Sequence, residues 1–202
     1  LTQAVKERLA RLKTPPVIQC RVNAGAIPNE HWTQTLEQGG GRIVGEMCHF
    51  VDLAAYLAGA SPARAHAFAL SNGKSPALQD SLVATLTFAN GAIASITYVA
   101  EGDTAYPKEL VEIFCGGQVM VIDDFRVGLF TSRGKTTRTK SGQVDKGHKR
   151  EMKEFVQLVR GRPSTILTFP EAAQSTGATL CVIESLTTGQ AVEVPMVAAA
   201  GR

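Results

Sequence analysis

Cysteine is scarce in this sequence, and no metal site or disulfide framework is indicated. The four cysteines among 202 residues are Cys20, Cys48, Cys115 and Cys181, and they stand far apart without paired spacing. Zinc sites and small disulfide frameworks place cysteines at short, repeated intervals instead. We therefore expect reduced, mostly buried thiols and a cytoplasmic setting.

Long apolar segments are also absent. No run approaches the roughly 18 apolar residues of a membrane span, and no charged-then-apolar signal opens the chain. The composition, with 44% hydrophobic and 19% charged residues, is that of an ordinary globular domain with a sizeable core. We expect a single domain over residues 1–202 and no membrane partner.

A strong charge of one sign is missing from the chain as a whole, whose net charge is +3. Locally, seven lysines and arginines lie between Arg133 and Arg150, against the single acidic Asp145. Such a segment can bind a polyanion, but it lacks interleaved aromatic residues and any nucleic-acid motif. The prediction is a flexible, solvated loop and no nucleic-acid partner, and the alternative is a polyanion-binding module.

The segment from Gly39 to Gly59 predicts a central helix. Three glycines open it, and apolar residues then recur at three- and four-residue spacing, the pattern of a helix buried over most of its girth. Gly59 suits the left-handed conformation of a helix end, and Pro62 prevents the helix from resuming.

Ionisable residues interrupt this apolar helix. Glu46 and His49 are three residues apart, as are His49 and Asp52, so one carboxylate is expected on either side of the imidazole. A carboxylate partner fixes the tautomer of a histidine and raises its pKa, which prepares a general acid or base. A helix that meets solvent along one edge would show the same residues, and spacing alone does not separate the two interpretations.

After the central helix the hydrophobic period changes to two. Strands are predicted over residues 17–22, 65–70, 81–88, 93–99, 110–115, 119–122 and 127–130, and Asn90-Gly91 and Gly116-Gly117 occupy hairpin-turn positions. Consecutive hairpins make an antiparallel sheet, and the helices then collect on one face. The predicted class is α+β, with a large, mainly antiparallel open sheet.

Two more helices are predicted near the end of the chain. Met152, Phe155, Val156 and Val159 recur at helical spacing and predict a core-facing stripe. Thr168 and Glu171 have the spacing of a capping box at the start of the last helix.

The central helix resembles that of a known family. Three glycines, then Cys48-His49-x-x-Asp52-Leu53 and a closing Leu57-x-Gly59, are similar to the substrate-domain helix of the Gfo/Idh/MocA oxidoreductases, the glucose-fructose oxidoreductase and inositol dehydrogenase group. Segments 21–32, 108–124, 146–149 and 169–189 resemble this family as well. The resemblance implies the fold predicted above and a homodimer or tetramer formed through the open sheet face.

The resemblance also implies a function. The chain is expected to be the C-terminal substrate-binding domain of a NAD(P)-dependent oxidoreductase that transfers hydride to or from a sugar, cyclitol or related polyol. His49 is implied as the proton-transfer residue and Glu46 as its partner. The family places an aspartate four residues before this histidine, where the sequence has Gly45, and one residue further rotates a side chain by about 100° on an ideal helix.

Four residues are implied to bind substrate by the same resemblance: Asn23, His31, Trp32 and Lys108. An aromatic face beside hydrogen-bonding groups is typical of sugar sites, and a lysine can hold a hydroxyl or a carboxylate. The alternatives are that the single tryptophan is a core anchor and that Lys108 is merely solvated.

The resembling enzymes hold NAD or NADP on an N-terminal Rossmann domain, which this sequence does not show. Gly39 to Gly45 approaches the glycine fingerprint by count, but it follows a polar segment rather than an apolar strand. Because the chain begins at Leu1 within a helical pattern, we expect a C-terminal fragment that is inactive alone. The alternative is a non-catalytic binding or assembly domain that kept the fold, a hypothesis favoured by Gly45.

Overall fold

The computed structural model describes residues 1–28, 30–142, 144 and 146–197. Its helices and strands in chain order are α1 (Thr2–Arg11), β1 (Val17–Asn23), α2 (Cys48–Ala58), β2 (Pro62–Ala69), β3 (Leu82–Phe88), β4 (Ile93–Val99), β5 (Glu109–Cys115), β6 (Gln118–Asp123), β7 (Val127–Ser132), β8 (Lys135–Lys140), α3 (His148–Val159), α4 (Phe169–Thr188) and β9 (Val192–Glu193). None of these helices is long and apolar enough to cross a membrane.

The strands form one open sheet in the order β8-β7-β6-β5-β1-β4-β3-β2-β9. Only β1 and β4 pair in parallel, and the other neighbours are antiparallel. The predicted hairpin turns are confirmed, because Gly91, Gly116 and Gly117 all have positive φ angles, which glycine adopts without a steric penalty.

Helices α2 and α4 cover one face of the sheet. Side chains that alternate along the strands point into this layer, and Ile18, Leu86, Ile96 and Ile113 are fully buried there. Burial of their apolar surface is the main favourable term in folding. The α+β class and the open, mainly antiparallel sheet are thus confirmed, as are the left-handed Gly59 that ends α2 and the capping box of Thr168 and Glu171.

Two predictions on the basic C-terminal region are wrong. Residues 135–140 form an edge strand rather than a loop, missed because all six side chains are polar or charged and exposed; lysines on an edge discourage pairing with another chain. Asp145 of this region lies outside the described residues. The apolar stripe of α3 does not face the core, since no residue of α3 is buried. Helical periodicity identifies the apolar face of a helix but not the surface that this face contacts.

The chain segments that carry the candidate site residues meet at one end of the sheet. Asn23 at the end of β1 pairs with Val99 at the end of β4, and the backbone N–H of Asn23 donates to the carbonyl of Lys108, just before β5. The turn that precedes α2 reaches the same end, because Arg42 donates to the carbonyl of Gly25 over 2.6 Å.

Candidate active site

The central helix enters the site through a wider turn than a regular α-helix has. Residues Ile43–Met47 form a π-helical turn in which the N–H of Cys48 bonds to the carbonyl of Ile43, five residues back. Such turns are rare and recur at functional sites. Because this turn departs from 3.6 residues per turn, spacing on an ideal helix does not fix where Glu46 points.

The Glu46 carboxylate is the centre of a hydrogen-bonded cluster of four side chains. Its Oε1 accepts from Nζ of Lys108 at 2.6 Å. Its Oε2 accepts from Nη2 of Arg42 at 2.9 Å and from the Tyr98 hydroxyl at 2.5 Å. We call these residues the Glu46 cluster. It joins β4, the segment before β5 and the turn before α2.

Arg42 and Tyr98 anchor the cluster in the interior. Arg42 is only 5% exposed and Tyr98 is completely buried, with the guanidinium 5.3 Å from the centre of the Tyr98 ring. A buried charge is tolerated only when it is paired and hydrogen-bonded. Glu46 meets that requirement for Arg42, and the carbonyl of Gly25 accepts a second bond.

The pKa of Glu46 follows from these contacts. Burial alone would raise it, but hydrogen bonds from Lys108, Tyr98 and Arg42 outweigh burial and lower the pKa to about 2. The pKa of Tyr98 moves the other way, raised first by burial and then by its bond to the Glu46 carboxylate. At neutral pH the cluster therefore holds an ionised glutamate beside a protonated tyrosine.

His49 lies in the first turn of α2 and its side chain is exposed. Within the described residues no hydrogen bond joins its ring to Glu46, whose carboxylate is occupied by the cluster. Asp52, three residues further, accepts from the Ser175 hydroxyl at 3.0 Å. Burial raises the pKa of Asp52 and Glu171 adds to the rise, whereas Ser175 and the nearby His49 oppose it. The imidazole thus stands open to an incoming molecule.

Of the four expected substrate-binding residues, the structure brings Lys108 into the Glu46 cluster and buries Asn23 beside it. Nδ2 of Asn23 donates to the carbonyls of Asp103 and Tyr106, so it holds the loop that leads to Lys108. Its Oδ1 is buried without a partner among the described residues. The side chain of Lys108 is 42% exposed and reaches the surface.

His31 and Trp32 lie on a surface segment after β1. Nδ1 of His31 accepts from the backbone N–H of Thr33 and caps the short turn Trp32–Gln34. Trp32 is 57% exposed, so it is not a core anchor. The predicted binding roles of these two residues, like those of the other candidates, stay predictions.

Arg42 and Tyr98 are the cluster residues that sequence reasoning missed. A sequence pattern could have indicated each of them. Arg42 stands four residues before Glu46, the spacing of a helical ion pair. Tyr98 continues the alternation of the buried Ala94 and Ile96 along β4. A buried tyrosine usually finds a partner for its hydroxyl.

Two of the glycines that approach a dinucleotide fingerprint by count pack against the chain itself. A Cβ on Gly39 would stand 2.4 Å from Cα of Thr33, and one on Gly41 would stand 2.3 Å from the carbonyl oxygen of Ala77. These glycines let the chain pack closely on itself rather than on a phosphate. No group of three or more His, Cys, Asp or Glu side chains that could hold a metal ion is found in the described ranges.

An open sheet of this kind, with helices on one face, recurs in solved oxidoreductase structures. Levoglucosan dehydrogenase in complex with NADH and levoglucosan is 19% identical, with a TM-score of 0.79 over 96% of this chain and 62% of that one. The WlbA dehydrogenase from Bordetella pertussis, in complex with NADH and UDP-GlcNAcA, is 18% identical, with a TM-score of 0.71 over 96% and 60%. Aldose-aldose oxidoreductase from Caulobacter crescentus is 13% identical, with a TM-score of 0.78 over 95% and 58%.

The chain belongs to the GFO/IDH/MocA C-terminal domain family, whose model matches residues 3–136. The family resemblance noted from the central helix is therefore confirmed. No protein of curated function matches the chain by sequence. The chain spans about three fifths of the length of the first structures that it matches.

Proposed function

We propose that this chain is the substrate-binding domain of a nicotinamide-dependent oxidoreductase that acts on a sugar, cyclitol or related polyol. The observation that carries the proposal is an exposed His49 in the first turn of the family's central helix, directly after the turn that holds Glu46 in the ionised Glu46 cluster. Membership of the family supports an oxidoreductase parent. The levoglucosan and the UDP-GlcNAcA named in complexes of the same fold support a sugar as substrate.

The proposed chemistry divides between this domain and a cofactor. Oxidation of a carbinol carbon removes a hydride, which the nicotinamide of NAD or NADP takes when bound, and leaves a hydroxyl proton. His49 accepts that proton, because its imidazole is exposed and has no hydrogen-bond partner within the described residues. Glu46 stays ionised and acts as the counter-ion that positions Lys108, which holds a polar group of the substrate.

The proposal assigns the dinucleotide to a separate N-terminal domain of a longer protein. The close packing of Gly39 and Gly41 against the chain itself supports this division. So does the exposed apolar stripe of α3, which includes Met152 and Val159, 61% and 71% exposed; exposed patches of this kind mark contact surfaces. On this proposal the isolated domain is inactive, and its four free cysteines fit a cytoplasmic protein.

The test is nicotinamide-coupled turnover of the full-length parent with a panel of sugars and cyclitols. His49→Asn is expected to lower kcat by about 100-fold or more, the range for loss of a general acid or base. His148→Asn, at another exposed histidine, is the matched control and should leave turnover unchanged. Turnover that survives in His49→Asn would contradict the assignment.

A non-catalytic assembly domain is the second candidate. The absence of a carboxylate at Gly45 favours it, and a side chain there has room, since a Cβ would meet only the carbonyl of Gly39 at 3.7 Å. Full-length protein that binds nicotinamide cofactor but turns over no sugar, cyclitol or polyol would favour this candidate over the enzyme.

We also propose that the open sheet face pairs two subunits in a homodimer or tetramer. Val17 on this face stands beside Ile93 and Phe114 on the neighbouring strands, and all three are 40–43% exposed. Phe68 and Val83 form a second exposed apolar pair. Light scattering on the full-length protein should give at least a dimer, and Phe114→Asp should dissociate it; a monomeric parent would refute the proposal.

A further inference from the structure

The Glu46 cluster contains one more positive charge than negative charge. Arg42 and Lys108 contribute two cations, and Glu46, whose pKa is about 2, contributes one anion. Tyr98 is neutral because burial raises the pKa of its hydroxyl. The hydrogen-bonded cluster thus has a net charge of +1.

That excess charge is presented to solvent at Lys108. Arg42 is buried and donates to Glu46 and to the carbonyl of Gly25, whereas the Lys108 side chain is 42% exposed. An ammonium has three donors, and only the one to Glu46 is used within the described residues. Two N–H donors of the Lys108 ammonium therefore remain for a ligand, and the net charge of +1 of the cluster is exposed at this group.

The neighbouring acidic residue does not cancel this charge. Glu109, next in sequence, is 4% exposed and pairs with Lys146 at 2.8 Å. Arg21 adds a further cation, since its Nη1 donates to the carbonyl of Pro107. Its guanidinium lies 4.7 Å from the centre of the Tyr106 ring, which is 60% exposed and offers a flat surface on which a sugar ring can stack.

We propose that Lys108 binds a carboxylate of the substrate, so that the preferred substrates are sugar acids rather than neutral polyols. Arg42 and Tyr98 are positioning residues in this inference: they hold Glu46, which holds the lysine. The inference rests on the proposed function for the location of the site, and it adds the chemical class of the substrate. A charge-assisted hydrogen bond in a partly buried site gives specificity for the anion.

The test compares D-glucuronate with D-glucose, which differ only in carrying a carboxylate or a hydroxymethyl group at one carbon. Binding to the full-length protein is measured by calorimetry at constant ionic strength. If the rest of the protein lacks tryptophan, the fluorescence of Trp32, the only tryptophan in this domain, gives a second readout. D-Glucuronate is expected to bind about tenfold or more tightly. Lys108→Gln should abolish this preference, and Lys108→Arg should retain part of it.

Lys146→Gln is the matched control, because Lys146 is also 42% exposed and also pairs with one glutamate. It should keep the preference for D-glucuronate. Equal binding of the two sugars, binding of neither, or a preference that survives Lys108→Gln would overturn the inference. His49-dependent turnover of neutral polyols without an acid preference would leave the proposed function standing, whereas Lys108-dependent acid binding without turnover would defeat the proposed function alone.

Discussion

Two lysine–glutamate pairs at the same end of the sheet look alike and differ in their surroundings. Lys108 pairs with Glu46 at 2.6 Å and Lys146 with Glu109 at 2.8 Å, and both lysine side chains are 42% exposed. Glu46, however, is also bound by the buried Arg42 and Tyr98. Glu109 has Lys146 as the only cation that pairs with it among the described residues.

The difference teaches what each pair can do. Lys146 and Glu109 neutralise each other, so their pair offers no net charge to a ligand. Glu46 is shared between two cations, one of them buried, and this makes it a counter-ion for the interior as well as for Lys108. A pair of this kind serves stability and recognition together, whereas the other joins one buried carboxylate, that of Glu109, to one half-exposed lysine.

Replacing the two glutamates by glutamine should separate the pairs most strongly. Glu46→Gln leaves Arg42, 5% exposed, without its counter-ion, and loss of one partner of a buried pair costs about 3–5 kcal/mol. Glu109→Gln replaces a buried carboxylate by a neutral amide and leaves only the half-exposed Lys146, which water can solvate, so it should cost less than Glu46→Gln. Chemical denaturation of each variant measures both values, and equal losses would refute the distinction.

Removing one hydroxyl should sharpen the comparison with a smaller effect. Tyr98→Phe keeps the buried ring but deletes the hydrogen bond to ionised Glu46, and bonds to charged groups are worth about 1.5–3 kcal/mol. Tyr56→Phe is the control, since Tyr56 is 44% exposed, and it should change the free energy of unfolding by less than about 0.5 kcal/mol. A neutral Tyr98→Phe would show that the hydroxyl does not support the cluster.

The sequence predicted most of the sheet because its strands alternate and its turns carry glycine. Asn90-Gly91 and Gly116-Gly117 marked two hairpins, and the buried parity of residues such as Ile96 and Ile113 followed from the period of two. The strand at residues 135–140 escaped because an exposed edge strand has no apolar face to alternate. The parallel pairing of β1 with β4 joins strands far apart in sequence, and no local pattern specifies such a contact.

The sequence predicted individual residues of the candidate site but not the contacts between them. Glu46 and Lys108 were both recognised as candidates, but they are 62 residues apart, and nothing in the spacing indicated that they meet. The π-helical turn at Ile43–Met47 is the physical reason that ideal-helix geometry did not predict the contacts of Glu46. Arg42 and Tyr98 were missed because their role depends on a shared hydrogen-bond partner, Glu46. The sequence does not indicate that these three side chains meet.

The most direct test of this account is a site-resolved NMR titration of the glutamate carboxyl groups in the folded protein. The pKa of Glu46 is lowered from 4.5 to about 2, so its ionised form stabilises the fold above the ordinary pKa, and this contribution is lost as the pH falls towards 2. The carboxyl resonance of Glu46 should therefore barely move between pH 7 and about pH 3, where an ordinary glutamate is already protonated. A titration midpoint at or above about pH 4 would contradict the account, because Glu46 would then not be the fixed counter-ion of Arg42 and Lys108.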